Sequence, residues 1–188
     1  MPKRALIGAL VIILAIFASI ALWLDRADRL IPSVAGPSAT AVHEVEASPG
    51  AVYSAKFTDL QGNERTLGQW DRKLLIVNFW ATWCGPCKEE IPILVKLQSN
   101  FGTNGVQFVG IAADSKLNVA NFAQKNTTNY PLLFDEAGAI QISKRLGNRL
   151  GLLPHTVMFS PGGQIIYNKL GIINERELSG IIAKNMPK

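Results

Sequence analysis

The chain has 188 residues, a formal net charge of +5, two cysteines and two histidines. That length holds one domain of ordinary size with its own core, plus an appendage. The positive charge is scattered over both chain ends with no dense basic run interleaved with aromatics, which argues against nucleic acid as a partner.

Residues 5–24 read ALIGALVIILAIFASIALWL without one charged side chain. At the rise of an α-helix such a run spans about 30 Å, the thickness of a bilayer's hydrocarbon. It predicts one N-terminal transmembrane helix, with residues 1–24 as a membrane anchor. A cleaved signal peptide has a shorter apolar run, roughly 7–15 residues, with a small-x-small site beyond it. Here the best such site, Ser19-Ile20-Ala21, lies inside the run and is followed by Leu22-Trp23-Leu24, so the anchor is expected to stay. Lys3 and Arg4 make one flank positive, whereas Asp25, Arg26, Asp28 and Arg29 cancel on the other. The positive-inside rule then keeps the N-terminus in the cytoplasm and exports the rest. No cysteine lies near the run to take a lipid. Residues 25–50 turn to Pro, Ser, Ala and Gly, the composition of a flexible tether, and His43 falls within it.

Residues 51–188 alternate strand-like and helix-like stretches without an internal repeat. A strand is expected over 52–57, leading to a Gly62-Asn63 turn, and a strand buried on both faces over 73–80 (KLLIVNFW). A helix follows over 87–101, its apolar face at Ile91, Leu94, Val95 and Leu97, with Pro92 expected to kink it. Next come a buried strand over 106–113, a helix over 115–125, a short strand over 131–134 and a helix over 137–146. Strands over 156–159 and 164–169, split by Ser160-Pro161-Gly162-Gly163, form a hairpin, and a helix over 175–184 closes the chain. A β-α-β half with parallel crossovers followed by a ββα half predicts a mixed sheet covered by helices on both faces.

The whole cysteine supply stands in one string, Trp83-Cys84-Gly85-Pro86-Cys87, between a buried strand and a helix. A thiol at a helix N-terminus meets unpaired N–H groups and the positive end of the helix dipole, which stabilise a thiolate. Cys84 is therefore the candidate nucleophile. Cys87, one turn later, is the candidate resolving thiol that would close a Cys84–Cys87 disulfide and release a partner. A structural disulfide across so short a loop would stabilise little. A zinc site wants about four ligands, and only His43 and His155 could join the cysteines. A Cu(I) chaperone would use the same sulfurs, but no Met-rich or His-rich tract accompanies them. No metal is expected.

The string VNFWATWCGPC, Pro92 after it, and Leu153-Pro154 before the strand HTVMF resemble the thioredoxin superfamily. With the anchor, the tether, Asn78 and the extra helical stretch before Pro154, the chain is similar to the membrane-anchored TlpA/ResA-type thiol-disulfide oxidoreductases of bacteria. The resemblance covers roughly residues 50–185. It implies a thioredoxin-like three-layer α/β/α fold with a central mixed sheet, and no cofactor beyond the redox-active Cys84–Cys87 disulfide. It also implies that Pro154 is the family's cis-proline beside the dithiol, with Leu153 offering its backbone to a bound partner chain. Gly85 and Pro86 are shared with thioredoxin itself and lean toward the reducing end of the family's potentials. Trp83 is expected to cover the site and touch the partner, and Trp80 to be core.

Asn78 stands where ordinary thioredoxins carry a buried aspartate that assists proton transfer, so that base is absent. Asp114 falls where relatives of this type often have a glutamate near the dithiol. It is a candidate proton relay for Cys87 or, equally, the N-cap of the helix over 115–125. His155, directly after Pro154, is a candidate to stabilise a Cys84 thiolate, although strand alternation also allows it to face away. Lys88 reads as a solvated helix residue.

The resemblance implies a single-pass protein of the bacterial inner membrane whose periplasmic domain reduces specific disulfides of exported proteins. Apocytochrome c cysteines or the copper-site cysteines of a respiratory oxidase are such targets, with a membrane thiol donor restoring the dithiol. The alternatives within the same chemistry are an oxidase or isomerase for folding exported proteins. A peroxiredoxin-type site is excluded because no proline precedes Cys84 within its strand and loop, residues 77–83.

Overall fold

The computed structural model describes residues 19–20, 22–23 and 49–186. The chain divides into two units, Met1–Glu44 and Val45–Lys188. In the first, the four described residues are helical and exposed. The expected anchor over 1–24 and tether over 25–50 otherwise lie outside the described residues, apart from residues 49–50. Among the described residues no helix is long and apolar enough to cross a membrane.

The second unit begins with a five-residue helix, α1 (Pro49–Tyr53), where the sequence predicts a strand. Proline at the first helical position forfeits only an N–H that has no intrahelical partner. The strand-like signal of Val52 and Tyr53 comes from packing instead. Val52 is fully buried, and the Tyr53 ring meets Phe159 edge-on at 5.5 Å. The true first strand, β1 (Lys56–Asp59), pairs antiparallel with β2 (Glu64–Thr66) around the expected turn. Asp59 holds that hairpin, accepting from the Asn63 amide and from Arg65 Nε, each at 2.8 Å.

A 3-10 turn (Leu67–Trp70) leads into β3 (Leu74–Trp80), all seven of whose residues are buried. Helix α2 (Gly85–Phe101) follows, starting two residues earlier than its apolar spacing predicts and running through Pro92. Then come β4 (Val106–Ala112), α3 (Lys116–Lys125), β5 (Leu132–Phe134), α4 (Gly138–Arg145), β6 (His155–Phe159), β7 (Ile165–Leu170) and α5 (Glu175–Asn185). The sheet order is β2-β1-β5-β4-β3-β6-β7, with β3, β4 and β5 mutually parallel and the other pairs antiparallel. This is the mixed sheet that the order of elements predicts.

Strand alternation sends neighbouring residues of β3 into two separate cores. Leu74, Ile76 and Trp80 pack with Leu94 and Leu97 of α2, Val119 of α3 and Leu178 and Ile182 of α5. Leu75, Val77 and Phe79 pack with Ala139 and Ile142 of α4 and with Val52 of α1. The sheet therefore separates the α2 face, which bears the cysteines, from the α4 face. Gly110 of β4 makes room on the α2 face: a Cβ there would lie 2.9 Å from Leu132 Cδ2, 3.2 Å from Trp80 Nε1 and 3.3 Å from Tyr130 Cε2. Overpacking of this kind costs about 1–3 kcal/mol. Gly110→Val is expected to lose that much unfolding free energy, measured by urea denaturation of the oxidised chain.

Candidate active site

β3 ends at Trp80, and after three intervening residues the chain enters α2 through Cys84, which has extended backbone angles (φ −85°, ψ 106°) and serves as the helix N-cap. Its sulfur takes the place of the usual capping oxygen and accepts from the Cys87 backbone N–H at 3.2 Å. Pro86 sits in the first turn, where its missing N–H removes no helical bond, and no acidic side chain occupies that turn. Cys84 and Cys87 form a disulfide with Cα atoms 5.3 Å apart. Cys87 is fully buried, while Cys84 retains 6% of its surface. Gly85 and Pro86 are exposed, and a Cβ on Gly85 would meet nothing within 4 Å, so the approach on that side is open. Trp83 is 67% exposed and lies on the rim rather than over a closed pocket.

The Leu153-Pro154 peptide bond is cis. The β3–β6 register pairs Phe79 with His155, which brings Pro154 to the Trp80 end of β3, next to the loop that carries Cys84. Leu153 is half-buried and touches both cores. The Pro154 carbonyl accepts from Gly171 N at 2.8 Å.

The sequence reading missed Glu90. It follows Cys87 by three helical positions, which places the two side chains on one face of α2. The carboxylate is fully buried and accepts from Asn78 Nδ2 at 2.7 Å and from the Ile173 backbone N–H at 3.0 Å. Burial drives its pKa up to about 7, against the opposing pull of those two hydrogen bonds. Asn78 also donates to Thr156 Oγ1 at 3.0 Å, so the amide that replaces thioredoxin's aspartate holds a carboxylate from the neighbouring helix. A buried titratable group thus lies on the cysteine side of α2, supplied from position 90 rather than 78. Its signal was present in the sequence. Cys87, Ile91, Leu94 and Leu97 define the apolar stripe of the helix, and Glu90 lies within it.

The N-cap role does not fall to Asp114. Ser115 caps α3, accepting from Asn118 N at 3.3 Å. The Asp114 carboxylate instead accepts from Thr82 N at 3.0 Å, Thr82 Oγ1 at 2.6 Å, Ser115 N at 2.8 Å and Asn118 Nδ2 at 2.7 Å. Burial pushes its pKa up, but the bonds from Thr82, Asn118 and Ser115 outweigh burial and hold it below the ordinary aspartate range. It is a clamp that ties the end of β4 to the loop before Cys84, and the four hydrogen bonds it accepts favour its ionised form. His155 is corrected as well. Its ring stacks on Phe79 in the α4-face core at 5.7 Å, and its nitrogens meet Ser143 and Asn168, each at 2.9 Å. It faces away from the side of the sheet that carries the cysteines.

A redox-capable cysteine pair whose first sulfur caps a helix, next to a cis-proline edge on a mixed sheet, is the site of a thioredoxin-like thiol-disulfide oxidoreductase. The Redoxin family matches residues 34–182, and the chain belongs to that family. It is 28% identical over 132 residues to the thiol-disulfide oxidoreductase ResA of Bacillus cereus, covering 69% of this chain and 73% of that one. Among solved structures, a thioredoxin-related protein from Neisseria meningitidis is 31% identical with a TM-score of 0.62, over 69% of this chain and 97% of that one. A Chlorobium tepidum protein described as a putative thiol:disulfide interchange protein DsbE shares the fold, with a TM-score of 0.65 at 20% identity over 71% of this chain and 93% of that one.

A carboxyl raised from 4.5 to about 7 has a defined effect on folding. Between those values the unfolded chain releases a proton that the folded chain retains, so stability falls as pH rises through the window and levels off above it. The contribution is on the order of 3 kcal/mol. Glu90→Gln is expected to remove this fall, so that wild type and variant converge near pH 4 and the variant is the more stable near pH 8. Parallel urea titrations at the two pH values check it.

Proposed function

We propose that the chain is a reductase of disulfides in exported proteins, anchored by its N-terminal run in the bacterial inner membrane with the dithiol domain in the periplasm. The observation that carries this reading is the Cys84 sulfur capping α2 beside an exposed rim, with Cys87 fully buried behind it. Once the pair is reduced, a thiolate at Cys84 receives the Cys87 N–H and the positive end of the helix, so Cys84 is the attacking sulfur.

The Cys84 thiolate attacks one sulfur of the partner's disulfide, forming a mixed disulfide and expelling the other partner sulfur as a thiolate that takes up a proton. Cys87 then gives its proton to the Glu90 carboxylate and attacks Cys84. The bond to the partner breaks, the second partner sulfur leaves as a thiolate, the proton held by Glu90 passes to it through solvent, and the Cys84–Cys87 disulfide forms. Two electrons have passed to the partner. A membrane-embedded dithiol donor returns two electrons and two protons to close the cycle, as an oxidising compartment requires. The partner strand docks at the rim formed by Trp83, Gly85 and Pro86 and along the Leu150–Pro154 edge. Apocytochrome c cysteines and the copper-site cysteines of a respiratory oxidase subunit are the targets that likeness to the ResA proteins suggests.

Cys87→Ala is expected to accumulate a mixed disulfide between Cys84 and a partner, visible as a mass shift reversed by dithiothreitol. Cys84→Ala should neither trap nor turn over. Normal turnover by Cys87→Ala would remove the resolving role from Cys87.

A further inference from the structure

The α4 face of the sheet carries a chain of hydrogen bonds, buried at its centre and part-buried at both ends, whose direction can be read from one end to the other. Asn168 Nδ2 donates to the Leu146 carbonyl at 2.6 Å, which leaves Asn168 Oδ1 to accept from His155 Nε2 at 2.9 Å. His155 therefore carries its proton on Nε2, and Nδ1 accepts from the Ser143 hydroxyl at 2.9 Å. Ser143 Oγ accepts in turn from Asn148 Nδ2 at 2.8 Å. The second proton of that amide goes to the Leu152 carbonyl at 2.7 Å, and Asn148 Oδ1 accepts from Leu152 N at 3.1 Å. His155 and Ser143 are fully buried and Asn148 is 3% exposed. Burial lowers the His155 pKa, against the opposing bond to Asn168, which keeps the ring in the neutral form that this chain of donors needs.

The last link grips both backbone groups of Leu152, two residues before the cis-proline. The segment it grips is otherwise placed for contact. Leu150 is 77% and Leu152 is 52% exposed, while Gly151 between them has φ +66° and lies so close to α4 that a Cβ would come within 2.9 Å of Ile140 Cγ2. Two apolar side chains are thus held outward on a tight loop that leads into Leu153-Pro154. Exposed leucines cost solvation, and a fixed segment spares a bound chain the entropy of ordering it.

We infer that Asn148, Ser143 and His155 are positioning residues for partner binding, setting the Leu150–Pro154 docking edge from the face of the sheet opposite to the cysteines. This rests on the reading that a partner polypeptide docks along that edge. None of the three bonds to Cys84, Cys87 or Glu90, so their loss should change docking and leave the intrinsic reactivity of the dithiol intact.

The test compares two disulfides reacting with the reduced full-length chain: a short peptide closed by a Cys-x-x-Cys disulfide, and 4,4′-dithiodipyridine, which is too small to use the edge. Asn148→Ala is expected to slow the peptide reaction about tenfold, the scale of one freed segment, with the dithiodipyridine rate within about twofold of wild type. Ser143→Ala, a smaller perturbation that breaks the chain at its middle, should act in the same direction. Equal slowing of both probes would reduce the network to a structural brace, and unchanged peptide rates would remove it from docking; either overturns the inference. Leu152→Asp tests the underlying reading separately. If it leaves the peptide rate unchanged, the docking edge itself is misplaced. If it slows the peptide while Asn148→Ala does not, the edge stands and the positioning role falls.

Discussion

The hydrogen bond from the Cys87 amide to the Cys84 sulfur is the contact on which the rest of the architecture converges. It exists because a strand buried on both faces is separated by three residues from a cysteine that is the N-cap of the following helix. The cap requires Cys84 to be extended and Cys87 to be the third helical residue, which fixes the spacing of the pair. Everything nearby holds that junction in place. Asp114 ties the preceding loop to β4, the parallel pairing of β3 with β4 places Asp114 beside it, and Glu90 is carried beneath by the same helix that the sulfur caps.

The sheet divides two tasks between its faces. On the α2 face lie the buried Glu90 carboxylate, the Asn78 amide and the cysteine pair, the groups that the proposed chemistry uses. On the α4 face a neutral, fully paired network reaches from β7 through His155 to the backbone of Leu152. The cis-proline segment joins them at the end of β6. A residue one position along that strand changes faces, and with it changes from chemistry to support: Thr156 meets Asn78, and His155 meets Ser143.

Much of this was legible in the chain itself. The apolar run 74–80, the cysteine spacing and the hairpin around Gly162-Gly163 each express a strong local rule, and the corresponding elements lie where those rules put them. Val52 and Tyr53 misled because β-branched and aromatic residues serve a helix packed against a sheet as well as they serve a strand. Asp114 misled because proximity in sequence to a strand end says nothing about which donors will meet the carboxylate. Four donors meet it and favour its charged form. Glu90 was overlooked because an acidic residue in a helix is solvated by default, and only its coincidence with the apolar stripe of Cys87, Ile91 and Leu94 marks it as buried.

The proposed direction of electron flow sets a requirement on these electrostatics. A helix N-terminus that favours a thiolate at Cys84 stabilises the reduced pair and by itself draws the potential upward. The reductase role proposed above requires that pull to stay small, as it does in thioredoxin, with which the pair shares Gly85-Pro86. The equilibrium reduction potential of the Cys84–Cys87 couple at pH 7 tests this directly. A value at or below roughly −230 mV is predicted, in the range of reducing members of the fold, whereas a value near about −120 mV, that of a strong dithiol oxidant, would contradict it.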